Sequence, residues 1–314
     1  MNNQVKDGKT REIFSESLFK GEVRFMEQMS LHTSLRIGGP ADVFAVPEDI
    51  LSLRNMHASL KRNQIPCLPL GGGTNILVRD GGIEGVVISF KSFKKIEILS
   101  EDDNYVNLSV EAGTPLQRLV RFSAENGFAG IEGLAGIPGS FGGAVCGNAG
   151  AFGYEIKDVL VSLAILDYES NIKNYKAEGI DFGYRKSGIL PGEILISAEI
   201  TLKKDRKDNV LARIEGFLSK KREKQPVWEP SAGCVFKNPP GLSAGKLIDE
   251  AGCKGMRIDG VEVSSIHANF FVNKGKATAF DFIRLMEEVA HKVREKFGIL
   301  LEPEIRIVGR ESVN

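Results

Sequence analysis

The stretch Gly130–Gly153 reads GIEGLAGIPGSFGGAVCGNAGAFG and contains nine glycines and a single charged side chain, Glu132. Glycine is costly inside a helix or strand because it loses more conformational freedom on folding than any other residue, so we expect neither element here. The stretch is too short and too poor in proline for a collagen-like helix. We interpret it as a neutral backbone wall around a large bound molecule. Tight turns in a β-rich core are the alternative interpretation.

The composition of the 314-residue chain is typical of a soluble globular protein, with 42% hydrophobic and 26% charged residues. Its length exceeds one compact core and predicts two or three domains. Basic and acidic residues balance at 41 each, which gives no electrostatic footprint for nucleic acid. Because the chain shows neither an apolar signal core nor a bilayer-spanning apolar run, we expect a cytoplasmic protein that binds no membrane.

The cysteines and histidines give no sign of a disulfide framework or of a metal site. None of the four cysteines has a closely spaced partner in the sequence, and the four histidines are equally scattered. Disulfide-rich domains and zinc sites depend on such close spacing. We therefore expect no bound metal.

Apolar periodicity predicts an α+β protein rather than a regular βαβ repeat. Residues 1–20 are polar and are expected to be loose. Five helices are predicted. The first follows Pro47, and the second begins with Thr114 as N-cap and Pro115 at the first helical position and ends at Gly127. The third ends at about Lys224, the fourth extends from the Ser243 cap to Gly252, and the fifth covers Phe282–Phe297. The predicted strands are Val43–Val46, Cys67–Leu70, Gly85–Phe90, Tyr105–Glu111, Val159–Leu166, Ile194–Leu202, Val261–Val263, Asn269–Val272 and Leu301–Gly309.

A second glycine segment, Gly71–Asn75, directly follows the predicted strand Cys67–Leu70. Consecutive glycines let neighbouring backbone N–H groups point into one concavity that suits phosphate oxygens, and Thr74 and Asn75 add side-chain donors without charge. The segment has neither the lysine of a P-loop nor the glycine spacing of a Rossmann turn. A phosphate-binding nest and a simple loop are both compatible with this pattern.

Six segments, taken in order, resemble the UDP-N-acetylenolpyruvoylglucosamine reductases of bacterial peptidoglycan synthesis. They span roughly residues 30–309 and read HTSLRIGGPAD, PLGGGTNILVRDGG, GLAGIPGSFGGAVCGNAGAFG, FGYRKSG, SAGCVFKNP and LEPEIR. The resemblance implies an α+β protein with a two-part FAD-binding domain of the vanillyl-alcohol oxidase/PCMH type and a C-terminal α+β substrate-binding domain. The expected division is an extension over 1–30, an FAD-binding region over 31–204 with subdomains of about 31–95 and 96–204, and a substrate-binding domain over 205–314.

The same resemblance implies the reaction. NADPH would reduce FAD, and reduced FAD would pass a hydride to the enolpyruvyl double bond of UDP-N-acetylglucosamine enolpyruvate, giving UDP-N-acetylmuramate. No equivalent of a flavin-attaching histidine stands out, so we expect non-covalent FAD, and we expect a monomer. Only six residues, Gly188–Glu193, separate the Lys186-Ser187 pair of the FGYRKSG motif from the predicted strand that starts at Ile194. The chain therefore resembles the class that lacks an inserted tyrosine-bearing loop.

Three side chains match the reacting residues of the family: Arg185, Cys234 and Glu304. A guanidinium can grip a carboxylate bidentately and stabilise enolate-like charge. Cys234 stands where the family uses serine or cysteine as proton donor, and an ordinary thiol, with a pKa of about 8.5, is mostly protonated near neutrality. Glu304 matches the second glutamate of the closing motif, and motif register alone separates it from Glu302 on the same strand face. An exposed arginine, a small buried cysteine and an exposed strand glutamate are the structural alternatives.

The resemblance also implies binding residues. Lys224 and Asn238 resemble family contacts to the sugar nucleotide, and Tyr184 is either a further contact or a packing residue. The residues carried over for the flavin are Gly71, Gly72, Gly73, Thr74, Asn75, Gly139 and Ser140. Two other functions stay open: a flavin-dependent oxidase of the same fold, and a nucleotide-binding regulator without turnover.

Overall fold

The computed structural model describes residues 12–15 and 18–312, so most of the segment expected to be loose lies outside the described residues. The helices of the described residues are α1 (Ile50–Arg62), α2 (Leu116–Glu125), α3 (Phe141–Cys146), α4 (Lys207–Lys224), α5 (Ala244–Glu250) and α6 (Ala279–Phe297). Short 3₁₀ turns occur at Met29–Leu31, Glu132–Leu134, Ile156–Val159 and Ala177–Gly179.

The strands are distributed along the whole described chain. The first nine are β1 (Gly21–Gln28), β2 (Pro40–Pro47), β3 (Cys67–Leu70), β4 (Ile76–Val78), β5 (Ile83–Ser89), β6 (Ile96–Glu101), β7 (Tyr105–Glu111), β8 (Phe128–Ala129) and β9 (Gly150–Ala151). They are followed by β10 (Tyr154–Glu155), β11 (Leu160–Leu166), β12 (Ile172–Lys176), β13 (Ile194–Lys204), β14 (Ser231–Cys234), β15 (Arg257–Ile258), β16 (Val261–Val263), β17 (Phe270–Asn273) and β18 (Arg306–Val308).

The chain forms two compact units, and each is assembled from separated segments. The first unit takes the described residues up to Phe25 together with Val43–Gly72 and Gly85–Leu218. The second unit takes Met26–Asp42, Gly73–Glu84 and the described residues from Ser219 onward. Each unit has its own hydrophobic core. The continuous division expected from the sequence, with boundaries after residues 30, 95 and 204, stays a prediction.

An antiparallel sheet in the order β12-β11-β13-β7-β6 forms the centre of the first unit. The long strand β13 pairs with β7 on one side and with β11 on the other, and the short strand β8 also pairs with β13. A second sheet, β1-β2-β5-β3, runs mostly through first-unit residues and contains the parallel pair β3–β5. This arrangement of largely antiparallel sheets and separate helices confirms the α+β class.

The glycine stretch contains helix α3 and the two-residue strand β9, so the expectation that neither a helix nor a strand would form there is wrong. Ser140 caps this helix, because its Oγ accepts a hydrogen bond from Gly143 N at 3.2 Å. Gly142 lies so close to Ala112 that an added Cβ would be 2.7 Å from the Ala112 Cβ. Its N–H donates to Ala112 O at 2.8 Å. Glycine is needed in α3 because the helix backbone packs directly on the residue that follows β7.

Helix α2 begins one residue later than expected. Its N-cap is Pro115, with φ −55° and ψ 126°, and no side chain caps it, so Thr114 is not the N-cap. The Thr114 carbonyl instead accepts a hydrogen bond from Phe141 N at 2.7 Å, which ties the start of α2 to the glycine stretch. The helix ends just before Gly127, whose φ of +70° confirms the expected C-terminal stop.

The second unit contains the sheet β14-β17-β16-β15 with helices α5 and α6. Helix α6 confirms its predicted amphipathic face, which buries Phe282, Leu285, Met286, Val289 and Val293. At its N-terminus Thr278 and Asp281 form a capping box, and the Asp80 carboxylate accepts hydrogen bonds from the first two helical N–H groups at 2.9 and 3.0 Å. Ser243 caps α5 as predicted.

The expected last strand, Leu301–Gly309, is shorter in the structure. Only β18 is a strand, and it pairs in parallel with β4, which aligns Arg306 with Ile76. The preceding residues leave β4 and pair instead with the segment after β14, where Glu304 N donates to Val235 O at 2.7 Å. The chain thus changes partner within the predicted strand, which interrupts it.

Candidate functional site

Two glycine segments contact each other through their backbones in the first unit. A Cβ added to Gly72 would lie 2.6 Å from Gly139 Cα, and one added to Gly71 would overlap Ser140 Oγ. Side-chain atoms do not approach backbone atoms this closely, so neither position accepts a larger residue without a shift. The backbone at Gly71 and Gly72 is exposed, and Gly139 is half-buried. The segments together form an exposed, uncharged backbone surface.

The rest of the Gly71–Asn75 segment belongs to the second unit. Gly73 has a φ of +63°, and its carbonyl accepts a hydrogen bond from Ser34 N at 3.0 Å. Thr74 is half-buried and Asn75 is exposed. The Asn75 amide donates to Glu304 O at 3.2 Å, and Arg306 N donates to Asn75 O at 3.1 Å. The structure therefore brings Asn75, expected at the flavin, next to Glu304, expected in catalysis.

Cys234 and Glu304 lie on adjacent segments of the second unit. Cys234 ends β14, where the pairing with β17 contains an irregularity between Ser231 and Cys234, and Gly233 adopts a φ of +77° there. Glu304 is half-buried, and its N–H donates to Val235 O at 2.7 Å. This backbone pairing places Glu304 against the residue that follows Cys234.

Asn269 holds the strand that carries Cys234, and sequence reasoning did not single it out. Its buried side chain accepts a hydrogen bond from Phe236 N at 2.9 Å and donates one to Phe236 O at 2.7 Å. Its backbone carbonyl accepts Val235 N at 2.8 Å. Only an amide side chain offers a donor and an acceptor in this arrangement. The signal in the sequence is weak, because an asparagine at a strand end usually predicts a turn.

The two glutamates of the closing motif have different surroundings. Glu302 is exposed, forms an ion pair with Lys237, and accepts Lys237 N through its backbone oxygen at 2.8 Å. Glu304 is half-buried beside the segment that follows Cys234. The contacts of the two residues thus distinguish Glu304 from Glu302, whereas the alternation of an ideal strand places both on the same face.

Arg185 belongs to the first unit, on the segment between β12 and β13. Gly183 and Lys186 exchange two backbone hydrogen bonds, of 3.0 and 3.2 Å, so that Tyr184 and Arg185 form the tip of a tight turn. The Arg185 guanidinium lies 5.1 Å from the centre of the exposed Tyr184 ring and donates to Gly150 O at 3.5 Å. The turn presents both side chains from the end of a short hairpin.

The expected sugar-nucleotide contacts belong to the second unit. Lys224 is exposed at the last residue of α4. Asn238 is exposed as well, but its Oδ1 accepts Ala244 N at 2.9 Å and so caps the start of α5. One turn before Lys224, burial lowers the pKa of Lys221 to about 8. Sequence reasoning did not distinguish this buried lysine from the solvated basic residues around it.

Glu132, the charged residue of the glycine stretch, binds another part of the first unit. Its carboxylate accepts two hydrogen bonds from Arg213, of 2.9 and 2.7 Å, and one from Gly130 N at 2.6 Å. These residues line an open cavity of about 510 Å³ that also includes Tyr154 and Asp205. The expected site residues do not line this cavity, so we assign Glu132 a structural role.

The part of the chain that the structure describes shows no cluster of three or more His, Cys, Asp or Glu side chains that could hold a metal ion. Within the same residues, no helix has the length and apolarity needed to pass through a bilayer. No disulfide joins any of the four cysteines, all of which the structure describes, and Cys234 is half-buried.

Comparison with known proteins identifies the family. A protein of Geotalea uraniireducens (strain Rf4) named UDP-N-acetylenolpyruvoylglucosamine reductase is 45% identical over 290 residues, which are 92% of this chain and 95% of that protein. The chain belongs to the UDP-N-acetylenolpyruvoylglucosamine reductase family. A family model for the C-terminal domain of these reductases matches residues 225–308, and a model described as FAD binding domain matches residues 41–174.

Solved structures agree with membership of the UDP-N-acetylenolpyruvoylglucosamine reductase family. The Thermus caldophilus reductase aligns with a TM-score of 0.78 and 35% identity over 93% of this chain and 100% of that chain. A variant of berberine bridge enzyme aligns with a TM-score of 0.51 and 14% identity, over 64% of this chain and 44% of that one, which shows a shared fold only. These matches confirm the expected flavoprotein fold and the class of FAD-dependent oxidoreductases.

The glycine segments of this reductase-family chain fit FAD. Both fall within the residues matched as an FAD-binding domain, and the backbone is exposed at Gly71 and Gly72 and half-buried at Gly139, with no charged side chain at these positions. The contact between Gly72 and Gly139 leaves the two segments no room for side chains between them. A flat, dinucleotide-sized cofactor needs such close backbone approach and donors at its pyrophosphate. Gly71, Gly72, Gly139 and Ser140 are the residues of the first unit that would hold it.

Proposed function

We propose that this chain reduces the enolpyruvyl double bond of UDP-N-acetylglucosamine enolpyruvate to give UDP-N-acetylmuramate, with bound FAD and with NADPH as the source of electrons. The observation that carries the proposal is the backbone pairing of Glu304 with Val235 at 2.7 Å, beside Cys234. It supports a shared task for two residues that are 70 positions apart (304 − 234). The pairing does not by itself separate a reductase from an oxidase or a binding protein of the same fold, which the assay below does.

The reaction adds a hydride to the terminal carbon of the double bond and a proton to the carbon that bears the carboxylate. Bound FAD, once reduced by NADPH, would supply the hydride. Arg185, at the tip of its turn, binds the substrate carboxylate and stabilises the negative charge that develops toward it. The charge is then neutralised by protonation, which needs an acid within reach of the carbon that bears the carboxylate.

Cys234 is the proposed acid. Its Sγ donates the proton, and general acid catalysis of this kind contributes about 10²- to 10⁴-fold in rate. Glu304 helps to position the Cys234 thiol and the substrate carboxylate relative to each other. It is preferred to Glu302, because Glu302 is exposed and paired with Lys237. Cys234→Ser would retain a hydroxyl donor at the same place, whereas alanine would not.

The sugar nucleotide is proposed to bind through Lys224, Asn238 and Tyr184. The exposed ammonium of Lys224 suits the diphosphate, and the Asn238 side chain lies four residues beyond Cys234. Tyr184, adjacent to Arg185, offers an exposed ring and a phenol to the substrate. Gly73, Thr74 and Asn75 extend the FAD site. We propose a monomeric, cytoplasmic enzyme that acts without nucleic acid or membrane partners, and FAD bound without a covalent link.

The testing experiment measures NADPH oxidation by FAD-loaded protein with and without UDP-N-acetylglucosamine enolpyruvate, in the absence of oxygen. We expect oxidation that depends on the sugar nucleotide and yields one UDP-N-acetylmuramate for each NADPH. NADH in place of NADPH measures the preference for the nicotinamide cofactor. Oxygen consumption with a reduced substrate and no NADPH would instead identify an oxidase, and binding without turnover would identify a regulator.

A further inference from the structure

Asn148 is a fully buried polar residue inside the glycine stretch, with 0% of its surface exposed. It adopts a φ of +40°, a left-handed conformation that asparagine tolerates better than most residues. Its Nδ2 donates to Gly183 O at 3.0 Å and to Glu155 Oε2 at 3.2 Å, and its Oδ1 accepts Lys157 N at 3.3 Å. The side chain therefore uses both of its amide hydrogens and its oxygen.

Gly183, whose carbonyl accepts the hydrogen bond from Asn148, is the first residue of the turn that carries Arg185. Gly183 exchanges backbone hydrogen bonds with Lys186, so fixing Gly183 fixes the base of the turn. Arg185 has a φ of +54°, which is unfavourable for an arginine and persists only where the surroundings determine the backbone. Strained residues of this kind cluster at functional sites, where side-chain direction matters.

A second hydrogen bond ties the other end of the turn to the same glycine stretch. Ser187 Oγ donates to Cys146 O at 2.9 Å, two residues before Asn148. Arg185 itself donates to Gly150 O at 3.5 Å, two residues after Asn148. The turn is thus attached on both sides to a five-residue segment centred on Asn148. This segment begins at the last residue of α3, whose start would hold the flavin.

The charged groups near Asn148 also favour the attachment of the Arg185 turn to the glycine stretch. The pKa of Glu155 is held below its ordinary value, first by its hydrogen bond with Lys157 and then by Asn148 and the charges of Lys157 and Arg185. Glu155 is therefore an anion beside the guanidinium. Asn148 donates to this anion and to Gly183 O at the same time.

We propose that Asn148 is a positioning residue that fixes the Arg185 turn to the proposed flavin-binding stretch. Because the turn and the stretch are then one hydrogen-bonded assembly, the guanidinium receives the substrate carboxylate in a set orientation relative to the flavin. Asn148 touches neither the substrate nor the reacting atoms. The inference rests on the proposed function, since it gives Arg185 the substrate carboxylate.

Asn148→Asp and Asn148→Ser test this role. Aspartate keeps the size and the acceptor for Lys157 N, but it cannot donate to Gly183 O and it adds a negative charge beside Glu155. Serine is shorter and uncharged. Both variants are expected to raise the KM for the sugar nucleotide, or to lower kcat/KM, by about 5- to 100-fold, as for one lost hydrogen bond to a buried carbonyl. FAD affinity and the rate of flavin reduction by NADPH should stay within about twofold of the wild type.

Asn126→Asp is the matched control. Asn126 also donates from Nδ2 to a backbone carbonyl, Phe122 O at 2.8 Å, and it lies in the same unit on an exposed surface. Its KM should equal that of the wild type. Ser187→Ala removes the second tether and should raise KM in the same direction by a smaller factor.

The outcomes separate this inference from the proposed function. If the wild type oxidises no NADPH with the sugar nucleotide, the proposed function fails. If the wild type is active and both Asn148 variants keep the wild-type KM and kcat/KM, the positioning role is refuted while the function stands. Loss of FAD affinity or of folding in both variants would make Asn148 part of the cofactor cradle or of the core, which also overturns the proposal.

Discussion

Gly72→Ala tests the contact between the two glycine segments most directly. The added Cβ would lie 2.6 Å from Gly139 Cα, 3.1 Å from Gly139 C and 3.2 Å from Ser140 N, all backbone atoms. Ordinary contact begins at 3.4 Å, so one segment must move by about 0.8 Å (3.4 − 2.6). Overpacking of this size costs about 1–3 kcal/mol. Neither neighbouring backbone can rotate away as a flexible side chain would.

The expected result is a loss of FAD affinity. A free-energy change of about 1.4 kcal/mol corresponds to a factor of ten in a dissociation constant. If the strain destabilises the FAD-bound protein, the FAD dissociation constant should therefore rise by about 5- to 150-fold. Titration of the apoprotein, followed by quenching of flavin fluorescence, measures this constant, and thermal unfolding of the apoprotein measures any part that falls on the fold.

Gly179→Ala is the control for the Gly72 substitution. Gly179 lies in the same unit, and a Cβ there would meet no atom within 4 Å. This variant should bind FAD as the wild type does. Wild-type FAD affinity together with wild-type unfolding in Gly72→Ala would refute the argument, because the two segments would then not need direct backbone contact.

Cys234→Ala should retain FAD and its reduction by NADPH but slow the reoxidation by the sugar nucleotide about 10²- to 10⁴-fold, as stopped-flow absorbance would show. Cys234→Ser should keep substantial activity, and equal turnover of the alanine variant and the wild type would make the thiol structural. Glu304→Gln should lower kcat at unchanged FAD affinity, whereas Glu302→Gln, which loses only an exposed ion pair with Lys237, should leave kcat unchanged in steady-state assays. Equal effects of these two glutamine variants would contradict our assignment. Burial, with help from Lys61, lowers the pKa of His57 below 6.5, so the unfolded state binds more protons and stability should fall as pH drops below 6.5. Urea unfolding should show a weaker pH dependence in His57→Gln, with a residual slope from His267, whose pKa burial also lowers; an unchanged slope would contradict this.

Elements with an apolar face could be predicted from the sequence. Helix α6 is the clearest example, because its buried residues recur at helical spacing and its N-terminus has a capping box. The central strands β7 and β13 were predicted for a similar reason, since alternate residues of β7 are buried and β13 is largely buried. In these elements the local sequence pattern and the tertiary environment agree.

Three of the strands that the sequence analysis missed are edge strands. β1, β6 and β12 lie at the edges of their sheets and are mostly exposed. An exposed strand needs no apolar alternation, so its sequence resembles a polar loop. Helix α3 was missed for another reason: glycine propensity predicts against a helix, but close packing of Gly142 on Ala112 requires it. Such contacts between distant segments leave no local periodicity.

The candidate site also contains residues that the sequence analysis named and residues that it did not. Arg185, Cys234 and Glu304 were identified through resemblance, because their motifs are short and distinctive. Asn148 and Asn269 were not, although each holds a backbone carbonyl of a segment that carries a proposed reacting residue. Their partners lie 35 and 33 residues away in the chain. A buried amide bonded across such a distance resembles a turn residue in the sequence.

The second unit takes one of its strands from early in the chain and pairs it with the last one. β4 aligns Ile76 with Arg306, and a ribosome that adds about 5–20 residues per second makes the intervening 230 residues (306 − 76) in about 12–46 s. During that interval the backbone of β4 has no β18 to pair with, although the first unit can already begin to fold. Contacts of such separation also slow folding through loop-closure entropy. The pairing of β4 with β18 therefore forms only when synthesis is almost complete, and a C-terminal truncation that removes residues 306–308 would leave residues 76–78 without this partner.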